Sequence, residues 1–100
     1  MPKKERSNKT QKNKTQKKRI TFKLEALEAR EAILVGDFNS WDAKKHTMKK
    51  DGKGRWTKIV TLGPGRYEYK FLVDGQWHND PGNDQMVPNS FGSHNNILTV

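Results

Sequence analysis

Apolar and polar side chains alternate with a period of two along most of residues 20–100. The clearest segment is RYEYKFLV at 66–73, where the two tyrosines, the phenylalanine and the valine share one face. Such alternation is typical of a β-strand with one face in a core. It predicts that Glu68 and Lys70 point outward from this strand.

The same pattern predicts further strands, at 20–26, 32–36, 45–50, 55–62 and 95–100. Residues 23–32 also contain good helix formers, but we favour a strand through Ala26 and then a turn at 27–31. Turn residues stand at 51–54, 63–65 and 74–75, and a polar loop is expected at 78–94. Six or seven short strands without a helix predict an all-β fold, an immunoglobulin-like antiparallel β-sandwich.

Charge divides the chain into two parts. Residues 1–19 hold nine Lys or Arg and one Glu, a net of +8, whereas residues 20–100 carry a net of +1. The first part has almost no apolar side chain to bury, so we predict a disordered basic tail at 1–19 and one folded domain at 20–100. The tail is interpreted as a solubilising leader, as the remnant of a linker, or as an arm that contacts phosphate through charge alone.

Two of the three tryptophans stand out as candidates for binding. Trp56 lies within a strand and is expected in the core. Trp41 and Trp77 each follow a strand end in a polar stretch, so they either cover the core or form an exposed platform. Indole rings cover the apolar face of a sugar, and the amides, hydroxyls and ammonium of Asn95, Ser93 and Lys70 can bind its hydroxyls.

These segments resemble the family 48 carbohydrate-binding modules, which include the glycogen-binding domain of the AMP-activated protein kinase beta subunit and the early-set domains of isoamylases and branching enzymes. The resemblance rests on G-D-F-N-x-W at 36–41, Y-x-Y-K-F-x-V-D-G-x-W at 67–77 and the final N-N-I at 95–97. It covers about residues 20–100. It implies a β-sandwich that binds glycogen or starch.

The resemblance also implies a role for each matching position. Trp41 and Trp77 would be the stacking platforms, and we expect them to form one flat shelf. Lys70 and Asn95 would bind glucose hydroxyls. Ser93 stands where the kinase domain has threonine, and Phe91 stands where it has leucine. The alternatives without a role in binding are a solvated strand lysine for Lys70 and an Asn95 that satisfies backbone groups in its own turn.

No catalytic or cofactor motif is found in the sequence. Asp74 and Asp80 stand beside Gly75 and Pro81, where aspartate favours turns, and the three histidines lack metal-ligand spacing. We therefore predict a non-enzymatic, cytoplasmic α-glucan-binding module without cofactor or metal. The alternative is a regulatory domain that docks on a larger carbohydrate-active enzyme or kinase. A membrane is not expected as a partner, and nucleic acid is expected only non-specifically, through the tail.

Overall fold

The computed structural model describes residues 17–100, which form two antiparallel β-sheets packed around one core. The strands are β1 Lys18–Glu25, β2 Ala32–Gly36, β3 Lys49–Lys50, β4 Arg55–Leu62, β5 Arg66–Val73, β6 Gln76–His78, β7 Met86–Pro88 and β8 His94–Thr99. A single 3₁₀ turn, Asp37–Asn39, is the only helical element in this part of the chain. The predicted all-β, immunoglobulin-like sandwich is confirmed. None of the described residues belongs to a helix with the length and hydropathy of a membrane span.

Each sheet is organised around one long central strand. In the smaller sheet β4 pairs with β1 on one side and with β3 on the other. In the larger sheet β5 pairs with β2 along one edge, while β8 and β6 share its other edge. β7 pairs with the outer edge of β8. The segment that leads into β8 and the hairpin after β5 therefore come together on the larger sheet.

The core lies between the inner faces of the two sheets. Phe22 of β1 packs edge-to-face on Tyr69 of β5, with 5.0 Å between the ring centroids. Trp56 is buried, as predicted, and its Nε1–H donates to the Ala26 carbonyl over 3.0 Å. Phe71 is fully buried. The inward positions that the period-two pattern predicts on β5 are thus core residues.

Several boundaries differ from the prediction, and the strand predicted at 45–50 is limited to Lys49–Lys50. β1 begins at Lys18, because Lys18 and Arg19 pair with the end of β4. The predicted polar loop at 78–94 contains β7, which is too short to give a clear alternation. A tail was predicted at 1–19, and its residues 1–16 lie outside the part of the chain that the structure describes.

Candidate functional site

A shallow depression of about 660 Å³ lies on the outer face of the larger sheet. Nine residues line it: Trp41, Glu68, Lys70, Trp77, Asn89, Ser90, Phe91, Ser93 and Asn95. All six side chains that the sequence predicts as binding residues are in this set. Residues from four separate segments of the chain therefore meet on one surface.

Trp77 belongs to a strand rather than to a loop. It lies on β6, directly opposite Leu72 of β5, so its ring is on the same outer face as Lys70. Its side chain is half exposed, at 51%. The alternative in which this indole covers the core is therefore excluded. The sequence pattern placed Trp77 after a strand end because β6 has only three residues.

Trp41 reaches the same surface through the turn that follows β2. Gly36 ends β2 opposite Tyr69, where an added Cβ would lie 2.6 Å from the Glu68 carbonyl oxygen. The 3₁₀ turn then leads into Trp41, whose backbone N–H donates to the Gly36 carbonyl over 2.9 Å. This close approach to β5 brings the half-buried Trp41 ring to the edge of the depression.

The two indoles are neighbours but are not coplanar. Their ring centroids are 6.4 Å apart and their planes meet at 61°. This is an edge-to-face arrangement, which aromatic pairs favour for electrostatic reasons. The expectation of a single flat shelf is wrong, since the two rings present an angled surface.

Lys70 lies at the base of the depression and is buried, at 7% exposure. Its Nζ donates to the Ser93 hydroxyl over 3.2 Å. An ordinary strand lysine is solvated, so the alternative in which Lys70 is a solvated lysine without a role in binding is wrong. The ammonium is held by a hydroxyl and faces the space between the strand and the loop.

Asn95 is also buried and bonds to side chains on both sides. Its Nδ2 donates to Glu68 Oε1 over 3.0 Å, and its Oδ1 accepts from Asn89 Nδ2, also over 3.0 Å. Asn89 Nδ2 donates as well to the Ser93 hydroxyl, over 2.9 Å. These bonds link side chains instead of satisfying the local turn, so the alternative in which Asn95 satisfies backbone groups in its own turn is also wrong.

Phe91 projects from the loop at the rim and is the most exposed large apolar side chain among residues 17–100, at 90%. The loop is fixed from below, since Asn89 Oδ1 accepts the backbone N–H groups of Phe91 and Ser93 over 2.9 and 3.2 Å. An exposed phenylalanine on a fixed loop is an available apolar contact.

Sequence reasoning did not assign Glu68, Asn89 or Ser90 to the site. Glu68 precedes Lys70 by two residues on the same face of β5, so the strand pattern could have indicated it. Asn89 is identified only through its partners Ser93 and Asn95. That contact depends on the pairing of β7 with β8, which the sequence does not reveal.

A buried polar cluster supports the strand that carries the site. The Tyr69 hydroxyl donates to Asp80 Oδ2 over 2.7 Å and accepts from Asn83 Nδ2 over 3.1 Å. Burial raises the pKa of the Tyr69 hydroxyl above its ordinary value. Asn96 is fully buried, and its Oδ1 accepts the Asp80 backbone N–H over 2.7 Å. Asp80 is therefore a structural carboxylate, as its turn position indicates.

The chemistry of the depression suits binding and not cleavage. Glu68 is the one carboxylate residue among those that line it. Glycosidic hydrolysis normally requires two carboxylates about 5–9.5 Å apart across the bond. An antiparallel β-sandwich with an aromatic and amide-lined surface depression is typical of a binding module.

The comparison with known proteins identifies the family of this module. Residues 18–100 match the family described as "Glycogen recognition site of AMP-activated protein kinase", and the chain belongs to that family. A recognition domain is non-catalytic, so residues 18–100 form a non-enzymatic domain of the carbohydrate-binding class.

Curated relatives come from plants and animals. The chain is 43% identical over 72 residues to protein FLOURY ENDOSPERM 6, chloroplastic, of Oryza sativa subsp. japonica, and the match covers 72% of this chain and 13% of that protein. It is 40% identical over 72 residues to protein PTST homolog 2, chloroplastic, of Arabidopsis thaliana, with the same shares covered. It is 38% identical over 71 residues to 5'-AMP-activated protein kinase subunit beta-1 of Sus scrofa, covering 71% of this chain and 55% of that protein.

The chain thus matches about an eighth of the length of the two plant proteins and about half of the porcine subunit. The similarity concerns the domain and not the whole of each relative. Two of these relatives are named as chloroplastic. A cytoplasmic location for this chain stays a prediction.

Proposed function

We propose that residues 18–100 bind α-glucans such as glycogen or starch in the depression on the larger sheet. The observation that carries this proposal is the convergence of two neighbouring indoles with the ammonium of Lys70 and the amide of Asn95. Indole faces stack on the C–H face of glucose, and the polar groups bond to its hydroxyls.

The angle between the indoles favours one class of polysaccharide. The α-linked chains of glycogen and starch curve, whereas the β-linked chain of cellulose extends as a flat ribbon. Two rings at 61° can contact successive glucose units of a curved chain, but only one of them can lie flat on a ribbon. The geometry therefore favours glycogen or starch over cellulose-like chains.

The expected affinity is modest because the depression is shallow. Two stacking contacts and a few solvent-accessible hydrogen bonds support a dissociation constant on the order of 0.1 mM for a short oligosaccharide. Several modules on one particle would bind more tightly through multivalency.

Isothermal titration with maltoheptaose, and with cellohexaose as the flat counterpart, tests the proposal. The wild type should bind maltoheptaose and not cellohexaose. Trp41→Ala and Trp77→Ala should each weaken binding roughly tenfold or more. Ile59→Ala is the matched control, since it removes an exposed apolar side chain from β4 of the other sheet. Equal binding by the wild type and both tryptophan variants would rule out this site.

The second candidate is a docking domain for a larger enzyme or kinase. It is favoured by one finding: a relative is named as a subunit of a kinase. A co-purifying protein that stays bound in excess maltoheptaose, and that also binds the Trp77→Ala variant, would support docking through another surface. Release by maltoheptaose would favour the glucan site.

A further inference from the structure

Asp37 bridges the two elements that carry the walls of the depression. Its Oδ1 accepts the indole Nε1–H of Trp41 over 2.8 Å. Its Oδ2 accepts the backbone N–H of Glu68 on β5, also over 2.8 Å. Both are hydrogen bonds to a carboxylate group, which are shorter and stronger than those between neutral groups. One side chain thus fixes the turn, the strand and the ring together.

The backbone at Trp41 needs such a restraint. Ser40 and Trp41 have φ values of 58° and 57°, two successive non-glycine residues in the left-handed region. This conformation is uncommon for a bulky residue and persists where the surroundings over-determine it. The backbone N–H of Trp41 is bonded to the Gly36 carbonyl, but among the described residues only Asp37 bonds to the ring.

We propose that Asp37 is a positioning residue for glucan binding, an inference that rests on the proposed function. Its carboxylate sets the 61° angle between the two indoles and occupies the single hydrogen-bond donor of the Trp41 ring. Trp41 therefore offers a ligand only an apolar surface. Trp77 Nε1–H has no partner among residues 17–100, and it is the indole donor available to a sugar hydroxyl.

The first test uses the wild-type protein alone. In a heteronuclear NMR spectrum the side-chain Nε1–H of Trp41 should exchange with water more slowly than that of Trp77. Addition of maltoheptaose should move the Nε1–H resonance of Trp77 more than that of Trp41. Equal exchange rates for the two indoles, or a larger ligand shift at Trp41 Nε1–H, would overturn the assignment. This readout does not depend on any variant folding.

The second test uses Asp37→Asn, with Asp42→Asn as the control from the same loop. Asp42 accepts only the backbone N–H of Lys44 through its side chain and does not line the depression. Asp37 accepts from Trp41 and from Glu68 through different carboxylate oxygens, so Asn at position 37 would place an amide NH₂, which cannot accept, against one of these two donors. Binding of maltoheptaose should weaken roughly tenfold, which corresponds to the net free energy of about one hydrogen bond. The control should bind as the wild type does.

A double-mutant cycle separates positioning from a general structural effect. Trp41→Phe keeps an aromatic ring but removes the Nε1–H. If Asp37 acts through that ring, Asp37→Asn should weaken binding much less in the Trp41→Phe background than in the wild type. Equal losses in both backgrounds would overturn the inference.

The two proposals fail in different ways. If the wild-type protein does not bind maltoheptaose, the proposed function is wrong, and so is the role of Asp37 in ligand binding. If the wild type binds, Trp41→Ala binds more weakly, and Asp37→Asn binds as the wild type does, only the inference about Asp37 is overturned.

Discussion

Lys70 combines two properties that conflict in a purely structural residue. It is buried on the outer face of β5, and its ammonium bonds to the neutral hydroxyl of Ser93. Removing a charged group from water is costly unless its donors are satisfied. A ligand hydroxyl in the depression would supply further acceptors to the ammonium. The burial of Lys70 therefore fits a role in ligand binding better than a role in stabilising the fold.

Lys70→Met should therefore weaken binding without weakening the fold. Methionine keeps the length of the stem and removes the charge. We expect maltoheptaose affinity to fall about tenfold and the thermal midpoint to stay unchanged or rise. Lys23→Met, at an exposed position of β1 on the other sheet, is the control for both measurements. A fall in midpoint with unchanged affinity would show that Lys70 is structural.

At the scale of elements, the site depends on how closely the end of β2 approaches β5. Gly36→Ala should destabilise the domain by about 2 kcal/mol, because the new Cβ meets the backbone of Glu68 and the Cβ of Tyr69, which cannot move away freely. Gly52→Ala, where no atom lies within 4 Å, should change stability by less than about 0.5 kcal/mol. Denaturant unfolding measures both variants. Equal stabilities would contradict the close approach of these two strands.

The turn after β2 is also hydrogen-bonded to a histidine side chain that can titrate. The buried Asn39 donates through Nδ2 to the Leu34 carbonyl over 3.0 Å and to His46 Nδ1 over 2.7 Å. Nδ1 of His46 therefore accepts, and the neutral ring carries its proton on Nε2. Burial, reinforced by Lys58 and Lys45, holds the pKa of His46 below its ordinary value of 6.5.

This shift sets the direction of a pH effect on stability. The unfolded chain protonates at a higher pH than the folded one, so the stabilisation is complete above pH 6.5 and is lost as the pH falls toward the lowered pKa. Urea midpoints should decrease from about pH 7 to about pH 5. His46→Gln should reduce this slope, whereas His78→Gln, at an exposed position, should leave it unchanged. A slope that is the same in all three proteins would contradict the role of His46.

At the scale of the whole molecule, the excess positive charge and the candidate site lie in different parts of the chain. Residues 20–100 carry a net of +1, and the excess positive charge lies in residues 1–19. A neutral glucan bound in the depression needs no counterion release, so its affinity should change less than about twofold between about 50 mM and about 300 mM salt. Binding that weakens steeply with salt would indicate an anionic ligand held by the basic segment.

The sequence predicted the positions that follow a local period and missed those that depend on pairing. The alternation in β5 placed Lys70 outward and Phe71 in the core, and both predictions are confirmed. The site residue Asn89 required the register of β7 with β8, which no local pattern contains. The angle between Trp41 and Trp77 depends on a left-handed backbone and one carboxylate, so the predicted flat shelf was wrong.

The central claim is that a glucan occupies the depression on the larger sheet. An NMR titration of isotope-labelled protein with maltoheptaose tests it most directly, because it locates the ligand without any substitution. We predict chemical-shift changes concentrated at Trp41, Trp77, Lys70 and residues 89–95. Changes concentrated on β1 and β4, or no change at millimolar maltoheptaose, would contradict it.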